Sequence, residues 1–362
     1  MPKSGALTGY WTRYAGYNKY RSWQTHGQMR VEQIDFEAWE RALPDSGFEV
    51  FHLPAALRVL TDHTDADLQL YAGYKGDQPV ALLPVFVTEP PVGSVVQSPP
   101  ASLGVPRLGP VLMPNSPKKR KREKLNQTFT EEVAEQFSVD SPLTLLRMVC
   151  NTAYTDPRPY SWLDLRTETL FTYCLDVGAT DLETIRADFS SSLRRDIRDA
   201  EDLPVTVERE GLEGVREIHA DTVARYEEQD ESYGQSWEYV CDLAEALDER
   251  CQAYVVRGPD GEYVSGITVL YSNDMAYFWG GGTRGTYEGT SVNSLVHWRI
   301  IEDIAAGDPI DSVDRYDLMG ANTERLCRYK SKFGADLVPY YLVETEGASM
   351  DVAKRAYQLV KQ

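Results

Sequence analysis

The sequence has few of the signals that mark a metal hydrolase, a nucleotide hydrolase or a membrane protein. Its five cysteines and five histidines are scattered and form no C-x-x-C or H-E-x-x-H pattern, which argues against a zinc site or a disulfide framework. Neither a P-loop nor a G-x-S-x-G nucleophile motif is present. No apolar run approaches the roughly 18 residues of a membrane span, and the first 30 residues lack the apolar core of a signal peptide. We therefore expect a cytoplasmic protein without a metal site.

Basic residues are also scarce, because 37 Lys and Arg stand against 56 Asp and Glu, for a net charge of -19. Such a chain repels polyanions, so any contact with nucleic acid has to be local. The acidic composition suits a salt-rich cytosol, and we hypothesise a halophilic source. One exception is Lys118–Lys124, where six of seven residues are basic. This run predicts a contact with tRNA phosphates or an anionic lipid carrier, or alternatively a solvated loop, since no aromatic residues interleave it.

A helix followed by a β-hairpin occurs twice in the sequence, about half a chain apart. The first unit is a helical segment at Pro54–Leu60 followed by two strands within Leu68–Val87. The second is a helical segment at Trp237–Leu247 followed by two strands within Gln252–Tyr271. The recurrence predicts two similarly built halves. Strands and helices joined by both hairpins and crossovers indicate an α/β (α+β) fold with a mixed sheet in each half.

The domain boundaries follow from composition. A Pro/Gly/Ser-rich crossing at Pro90–Pro117 lies inside the first half, and a proline-containing segment at Tyr154–Tyr160 is a linker candidate. We therefore predict an aromatic-rich arm over residues 1–28, a first domain over 29–155 and a second domain over 156–362. The length of 362 residues suits two domains of average size.

Two motifs near the end of the chain carry a family resemblance. Tyr316-Asp317-Leu-Met-Gly320 and, after a short spacer, Tyr329-Lys330-Ser-Lys-Phe-Gly334 resemble the paired C-terminal motif of FemAB-like acyltransferases in the GNAT superfamily. Asp181–Ala200 is expected to be helical, and its part Phe189–Ala200, which ends in R-x-x-I-R-x-A, is similar to a helix of that family. The resemblance covers about residues 160–345 well and the first half in outline.

The resemblance implies tandem GNAT-like domains and transfer of an acyl or aminoacyl group to an amine of a cell-envelope sugar, a peptide or a small molecule. The donor that it implies is either aminoacyl-tRNA or acyl-CoA. The segment Arg284–Thr290 stands where the GNAT pyrophosphate loop is expected but has the wrong spacing, which counts against ordinary acetyl-CoA binding. The alternative is a non-catalytic GNAT-like module that binds a nucleotide-sugar or a protein partner.

Acyl transfer between two bound substrates needs an oriented amine and a cation or donor for the developing oxyanion, but no enzyme nucleophile. We expect Lys330 to stabilise the oxyanion or hold a phosphate. Asp317 is expected to orient the amine or accept its proton. The alternative for Asp317 is a buried carboxylate that pairs with Arg194, Arg198 or Lys330 and fixes the fold. Other residues are expected to bind substrate: Arg194, Arg198, Tyr316, Trp279, Gly281 and Gly282. Asp317 and Lys330 lie in the second domain, which is therefore expected to hold the active site. A lone helical histidine such as His297 is expected to be structural.

Overall fold

One mixed sheet of thirteen strands runs through the residues that this computed structural model describes, which are 29–282 and 285–345. The expected mixed α/β fold is confirmed, but the two halves share one continuous sheet instead of having one each. The predicted arm of residues 1–28 lies outside the described part of the chain, as does Arg284.

The elements up to residue 176 carry the first half of the fold. In chain order they are β1 (Arg30–Ile34), α1 (Phe36–Ala42), α2 (Pro54–Asp62), β2 (Asp67–Lys75), β3 (Gln78–Thr88), β4 (Ser94–Ser98), β5 (Val111–Leu112), α3 (Lys119–Gln136), β6 (Thr144–Val149), α4 (Arg158–Trp162) and β7 (Arg166–Asp176).

The elements that follow carry the second half. They are α5 (Leu182–Asp188), α6 (Ser191–Glu201), β8 (Thr206–Glu210), α7 (Leu212–Glu227), α8 (Trp237–Leu247), β9 (Cys251–Arg257), β10 (Tyr263–Tyr271), β11 (Met275–Gly281), β12 (Thr286–Tyr287), β13 (Thr290–Ser291), α9 (Asn293–Ala305), β14 (Arg315–Asp317), α10 (Glu324–Lys330) and β15 (Asp336–Glu344). Three short 3-10 helices cover Val50–His52, Asp248–Arg250 and Ser331–Phe333.

The two halves repeat one topology. The order β1-α1-α2-β2-β3-β4-α3-β6 returns as β8-α7-α8-β9-β10-β11-α9-β14, and each half contains one parallel pair, β4 with β6 and β11 with β14. The predicted hairpins are present as β2–β3 and β9–β10. The internal repeat inferred from the sequence therefore has a counterpart in the strand order. The domain boundary at residues 155 and 156 stays a prediction.

The centre of the sheet joins the halves by exchanging strands. Strand β15, from the end of the chain, lies between β6 and β7, and β7 pairs in turn with β14. The full order is β1-β2-β3-β4-β6-β15-β7-β14-β11-β10-β9-β8, with β5 added beside β3. Because strands of the two halves alternate there, the backbone hydrogen bonds at the centre of the sheet depend on both halves.

Helices cover both faces of the sheet. On one face, α1, α2, α7 and α8 bury their apolar sides in one core that both halves share, and α2 packs on α8. On the other face the halves have separate cores, one under α3 and α4 and one under α5, α6 and α9. We call the face with the shared core the inner face and the opposite one the outer face. Successive side chains of each central strand point alternately to the inner and the outer face, because a strand repeats every two residues.

Two local predictions differ from the structure. The helical stretch expected over Asp181–Ala200 is two helices, because Phe189 is extended and Ser190 caps α6 by accepting a hydrogen bond from the amide of Leu193. A solvated loop was one expectation for the basic run Lys118–Lys124. In the structure this run caps and begins helix α3. Its side chains are exposed all the same.

An opening in the sheet follows the parallel pair β11–β14. Pairing of β11 with β14 ends at Tyr277 and Asp317, after which β11 continues to Gly281 paired with β10 only. The chain that leaves β14 follows β7 instead, since the amides of Leu318 and Ala321 donate to the carbonyls of Tyr173 and Phe171. The two strands therefore separate, and the space between them is bordered by β11 on one side and residues 318–320 on the other.

The end of β11 is built on glycines because it approaches another strand closely. Gly281 has φ +82°, and a Cβ there would lie 2.4 Å from the carbonyl oxygen of Gly266 on β10. Gly282 has φ +65°, and its amide donates to that same carbonyl at 2.8 Å. Close backbone approach was expected here, with a ligand as the approaching group. The structure shows that the approach is to the protein's own strand.

Replacing Gly281 by Ala is therefore expected to destabilise the protein more than replacing Gly289, which has the same φ of +82° but nothing within 4 Å of its Cβ position. Gly289→Ala carries only the left-handed strain, about 1–2 kcal/mol. Gly281→Ala adds overpacking and should cost at least about 2 kcal/mol more. Urea unfolding of the two variants measures the difference, and equal losses would contradict the close-approach explanation.

Candidate active site

Lys330 reaches the opening between β11 and β14. It is the last residue of α10 and is only 6% exposed. Its ammonium donates to the carbonyl of Met319 and, at 3.1 Å, to that of Gly320. It also lies 5.6 Å from the ring centroid of Phe278 on β11. Burial lowers the pKa of Lys330 to about 8, although the charge of Asp317 acts in the opposite direction.

The turn that receives Lys330 has an unusual backbone. Met319 and Gly320 both have left-handed φ values, +57° and +55°, and only glycine adopts that region freely. The carboxylate of Asp317 holds the turn by accepting from the amide of Met319 at 2.7 Å. Thr172 of β7 donates to the same carboxylate oxygen at 2.5 Å. Asp317 and Lys330, which the motifs place together in sequence, therefore meet at one turn in space.

Asp317 is fully buried and forms an ion pair with Arg107 of the first half. The guanidinium Nη2 is 2.5 Å from the other oxygen of Asp317, and Nε is 2.9 Å from Glu49. All three side chains are at most 3% exposed. Burial would lower the pKa of Arg107, but the charges of Asp317 and Glu49 raise it well above its usual value. Hence Arg107 stays cationic and forms an ion pair with a buried carboxylate on each side.

Asp317 is a buried, ion-paired carboxylate, as one of the two expectations had it, but its ion-pair partner is Arg107 and not the expected Arg194, Arg198 or Lys330. Arg107 is the only charged residue in the run Ser98-Pro-Pro-Ala-Ser-Leu-Gly-Val-Pro-Arg-Leu-Gly-Pro110, which was a signal available in the sequence. Glu49 gave no such signal. Because Asp317 has no exposed surface and accepts from three protein groups, its geometry is that of a positioning group.

A buried aromatic cluster backs the lysine on the outer face. The Nδ1 atom of His297 on α9 is 2.9 Å from the hydroxyl of Tyr316, and the His297 ring contacts those of Phe278, Tyr329 and Phe333. Burial and the charge of Lys330 lower the pKa of His297 to about 3, so the imidazole is neutral. Tyr316, expected to touch substrate, is thus a fully buried member of this cluster.

Arg194 and Arg198 of α6, which were expected to bind substrate, are not brought to the lysine by any contact within the described residues. Arg194 donates to the carbonyl of Ala187 at 2.8 Å, and Arg198 is exposed. Both lie on a helix whose apolar side faces the outer core through Leu193 and Ile197. Their predicted role in substrate binding therefore stays a prediction without a site around it.

Trp279 lines a cleft on the inner face, where the two halves meet. The cleft has a volume of ≈ 360 Å³ and no charged side chain in its lining. The first half contributes the loop at Ala101–Gly104, and the second contributes the segment between α7 and α8 together with Trp279. The lining residues are Ala101, Ser102, Gly104, Tyr226, Tyr233, Gly234, Gln235 and Trp279. Aromatic rings and neutral polar groups suit an uncharged part of a ligand.

The described residues before α9, where a GNAT pyrophosphate loop was expected, carry negative charge only. Residues 285–292 form the β12–β13 hairpin and contain one charged residue, Glu288. Lost hydration and the charges of Glu288, Glu262 and Asp260 raise the pKa of Tyr287. The amide of Val292 is already bonded to the carbonyl of Gly285. The described hairpin therefore offers a diphosphate no lysine or arginine, and the amide of Val292 is already occupied.

Other binding modes find little support in the described residues. Within 29–282 and 285–345, no three His, Cys, Asp or Glu side chains gather as metal ligands would. Every helix in those same ranges is too short or too polar to cross a bilayer.

Comparison with known proteins identifies the domain that carries Lys330. Residues 187–331 match the family described as acetyltransferase (GNAT) domain, which supports an acyltransferase. A sequence search of curated proteins finds no match.

Three solved structures illustrate the fold similarity. FemX superposes with a TM-score of 0.64 at 11% identity, covering 92% of this chain and 100% of its own. The C-terminal domain of a putative lysylphosphatidylglycerol synthetase from Agrobacterium fabrum reaches 0.53 at 12%, covering 90% and 94%. L-PGS from Bacillus licheniformis also reaches 0.53 at 12%, covering 91% and 96%. Residues 187–331 of the chain thus match a GNAT acetyltransferase domain, and the chain as a whole has a fold similar to that of FemX.

Proposed function

We propose that this protein transfers an aminoacyl group from aminoacyl-tRNA to an amine, with the reacting carbonyl in the opening between β11 and β14. The observation that carries the proposal is the buried ammonium of Lys330, seated on two carbonyls at that opening and backed by Phe278. A fixed cation in a low-dielectric site stabilises a developing oxyanion more than one in water does. The amine attacks the ester carbonyl, a C–N bond forms, and the ester C–O bond breaks as the amine's proton passes to the leaving oxygen.

The acceptor is proposed to occupy the cleft on the inner face. Phe278 and Trp279 are neighbours on β11, and successive side chains of a strand point to opposite faces. Phe278 accordingly packs with the outer core beside Lys330, whereas Trp279 packs against the inner core and lines the cleft. Two substrates approaching from the two faces would meet at the opening. The neutral lining favours an uncharged part of the acceptor, such as a sugar ring or an amide backbone.

The choice of aminoacyl-tRNA as the donor rests on the charge of two surfaces, the hairpin before α9 and the basic run Lys118–Lys124. The described hairpin before α9 is acidic, which disfavours the diphosphate of acyl-CoA. The main basic surface is instead Lys118–Lys124, exposed at the start of α3. The helix dipole disfavours cations at that end, so their concentration there has a cost that a polyanionic partner would offset. Acyl-CoA remains the second donor, and a non-catalytic module binding a nucleotide-sugar or a protein remains the alternative class.

Replacing Lys330 by Met is expected to lower kcat at least about 100-fold, because one oxyanion-stabilising group is lost. Lys332→Met is the matched control, since Lys332 lies two residues away with a third of its side chain exposed and should keep activity within about twofold. Transfer of radiolabelled amino acid from charged tRNA to a panel of amines measures the effect, with labelled acetyl-CoA as a parallel donor. Full activity of Lys330→Met would reject the assigned chemistry.

The rate of aminoacyl transfer is also expected to depend on pH through Lys330. A Lys330 pKa of about 8 means that the ammonium is present below that pH and is lost as pH rises through it, so activity should fall on the alkaline side. Lys330→Arg keeps a positive charge throughout this range. Its residual activity should therefore show no decline around pH 8.

Replacing Trp279 by Phe is expected to raise the KM for the amine acceptor several-fold while kcat stays within about twofold, because the wall of the cleft loses area but the lysine is untouched. Steady-state kinetics with the best acceptor of the panel measures both constants. Trp298→Phe is the control, since Trp298 is buried under α9 on the outer face. An equal rise of KM in both variants would remove the cleft from the proposal.

Reversing two charges of the basic run, Lys119→Glu with Lys121→Glu, is expected to weaken binding of unfractionated tRNA at least about tenfold and to flatten its salt dependence. Filter binding between 50 and 200 mM salt measures both. The matched control is Arg41→Glu with Arg216→Glu, two exposed arginines on α1 and α7. If both double variants lose the same affinity, the run has no specific contact with tRNA.

A further inference from the structure

The turn that seats Lys330 keeps its shape only while its surroundings enforce it. Met319 has φ +57°, a conformation that a side chain other than glycine's rarely adopts. Strained backbone of this kind persists where neighbouring contacts over-determine it, and such sites are concentrated at functional positions. Both carbonyls that receive the ammonium of Lys330, those of Met319 and Gly320, belong to this turn. The position of the ammonium therefore depends on what holds the turn.

Arg107 makes or supports the contacts that hold the Met319–Gly320 turn in place. Asp317 binds the amide of Met319 at 2.7 Å, and Arg107 binds Asp317 at 2.5 Å. The Nη2 atom of Arg107 also lies 3.6 Å from the sulfur of Met319. The rest of the guanidinium is fixed by Glu49, and the group stacks 5.2 Å from the ring centroid of Tyr340. A residue of the first half thus reaches the active-site turn of the second.

We propose that Arg107 is a positioning residue for group transfer: through Asp317 it holds the left-handed Met319–Gly320 turn, whose carbonyls hold the ammonium of Lys330 at the opening of the sheet. The proposal rests on the function assigned above, in which Lys330 stabilises the oxyanion. It assigns to the first half a direct influence on the chemistry of the second. Arg107 itself touches no reacting atom.

Three titratable groups face Lys330, namely Asp317 from β14, Cys327 from its own helix and His297 from α9. Asp317 is the only carboxylate among them, and Arg107 neutralises it. Removing the charge of Arg107 leaves Asp317 free to favour the ammonium, so the titration midpoint of Lys330 should rise. Removing the charge of Glu49 leaves Arg107 less neutralised, so the midpoint should fall. Opposite shifts from two residues of the first half are a signature that general destabilisation does not produce.

The test follows Lys330 directly, in the full chain labelled with ¹³Cε-lysine. Its resonance is assigned by its absence from Lys330→Arg. We expect Arg107→Met to raise the titration midpoint, and Glu49→Gln to lower it, by roughly half a pH unit or more each. Tyr271→Phe is the control, because Tyr271 is buried on the outer face and bonded to Tyr254, and should leave the midpoint unchanged.

A milder variant keeps the test decisive if Arg107→Met does not fold. Arg107→Lys retains the charge but has no fork to engage Glu49 and Asp317 together. Its crystal structure should show Met319 with negative φ and Lys330 detached from Gly320, and its kcat should fall about tenfold at an unchanged acceptor KM. Folded Arg107→Lys and Glu49→Gln proteins with the wild-type turn and midpoint would overturn the proposal.

The role of Arg107 can be tested separately from the proposed function, because the lysine resonance and the crystal structure are measured without donor or acceptor. Shifted midpoints in a protein that transfers nothing would reject the function and retain the link from Arg107 to Lys330. Transfer activity with unmoved midpoints would retain the function and reject that link.

Discussion

The buried ion pair between Arg107 and Asp317 is the interaction on which the remaining geometry depends. A guanidinium and two carboxylates are removed from water in one place, and each charge is tolerable only because the others are present. Losing one partner of such a group typically costs about 3–5 kcal/mol, because an uncompensated charge is left buried. Since Arg107 comes from the first half and Asp317 from the second, the group also couples the halves at the strand that precedes the active-site turn.

The strand exchange at the centre of the sheet gives the same coupling through the backbone. Strand β15 follows the lysine-bearing helix and pairs with β6 of the first half and with β7. Tyr340 of that strand stacks on Arg107. Backbone pairing and side-chain charge therefore act at one location, and neither half contains a complete centre by itself. The family match at residues 187–331 therefore leaves out Arg107 and strand β15, both of which contact the region around the turn that receives Lys330.

Much of the fold could be predicted from sequence because its signals are local. The hairpin β9–β10 and helix α8 follow from turn residues and apolar periodicity within short windows. Lys330 was found through a motif, which is again a local signal. The isolated charge of Arg107 is visible in the sequence, but its pairing with Asp317 is not, because the two residues are 210 positions apart and no sequence period connects them. Arg194 and Arg198 show the limit of such local signals, since their helical spacing placed them on one face of α6 but did not indicate what that face contacts.

Charge distribution also limits which donors fit the fold. The described part of the hairpin before α9 carries Glu288, and Glu262 and Asp260 lie close enough to raise the pKa of Tyr287. A diphosphate placed there would face like charge and would find the amide of Val292 already bonded. Lys330 meanwhile brings its ammonium to the opening of the sheet. A donor that presents only an ester carbonyl at the opening, and whose phosphates are held elsewhere on the surface, avoids both conflicts. Aminoacyl-tRNA is the proposed donor for this reason, and a CoA thioester with its diphosphate at α9 stays the second candidate.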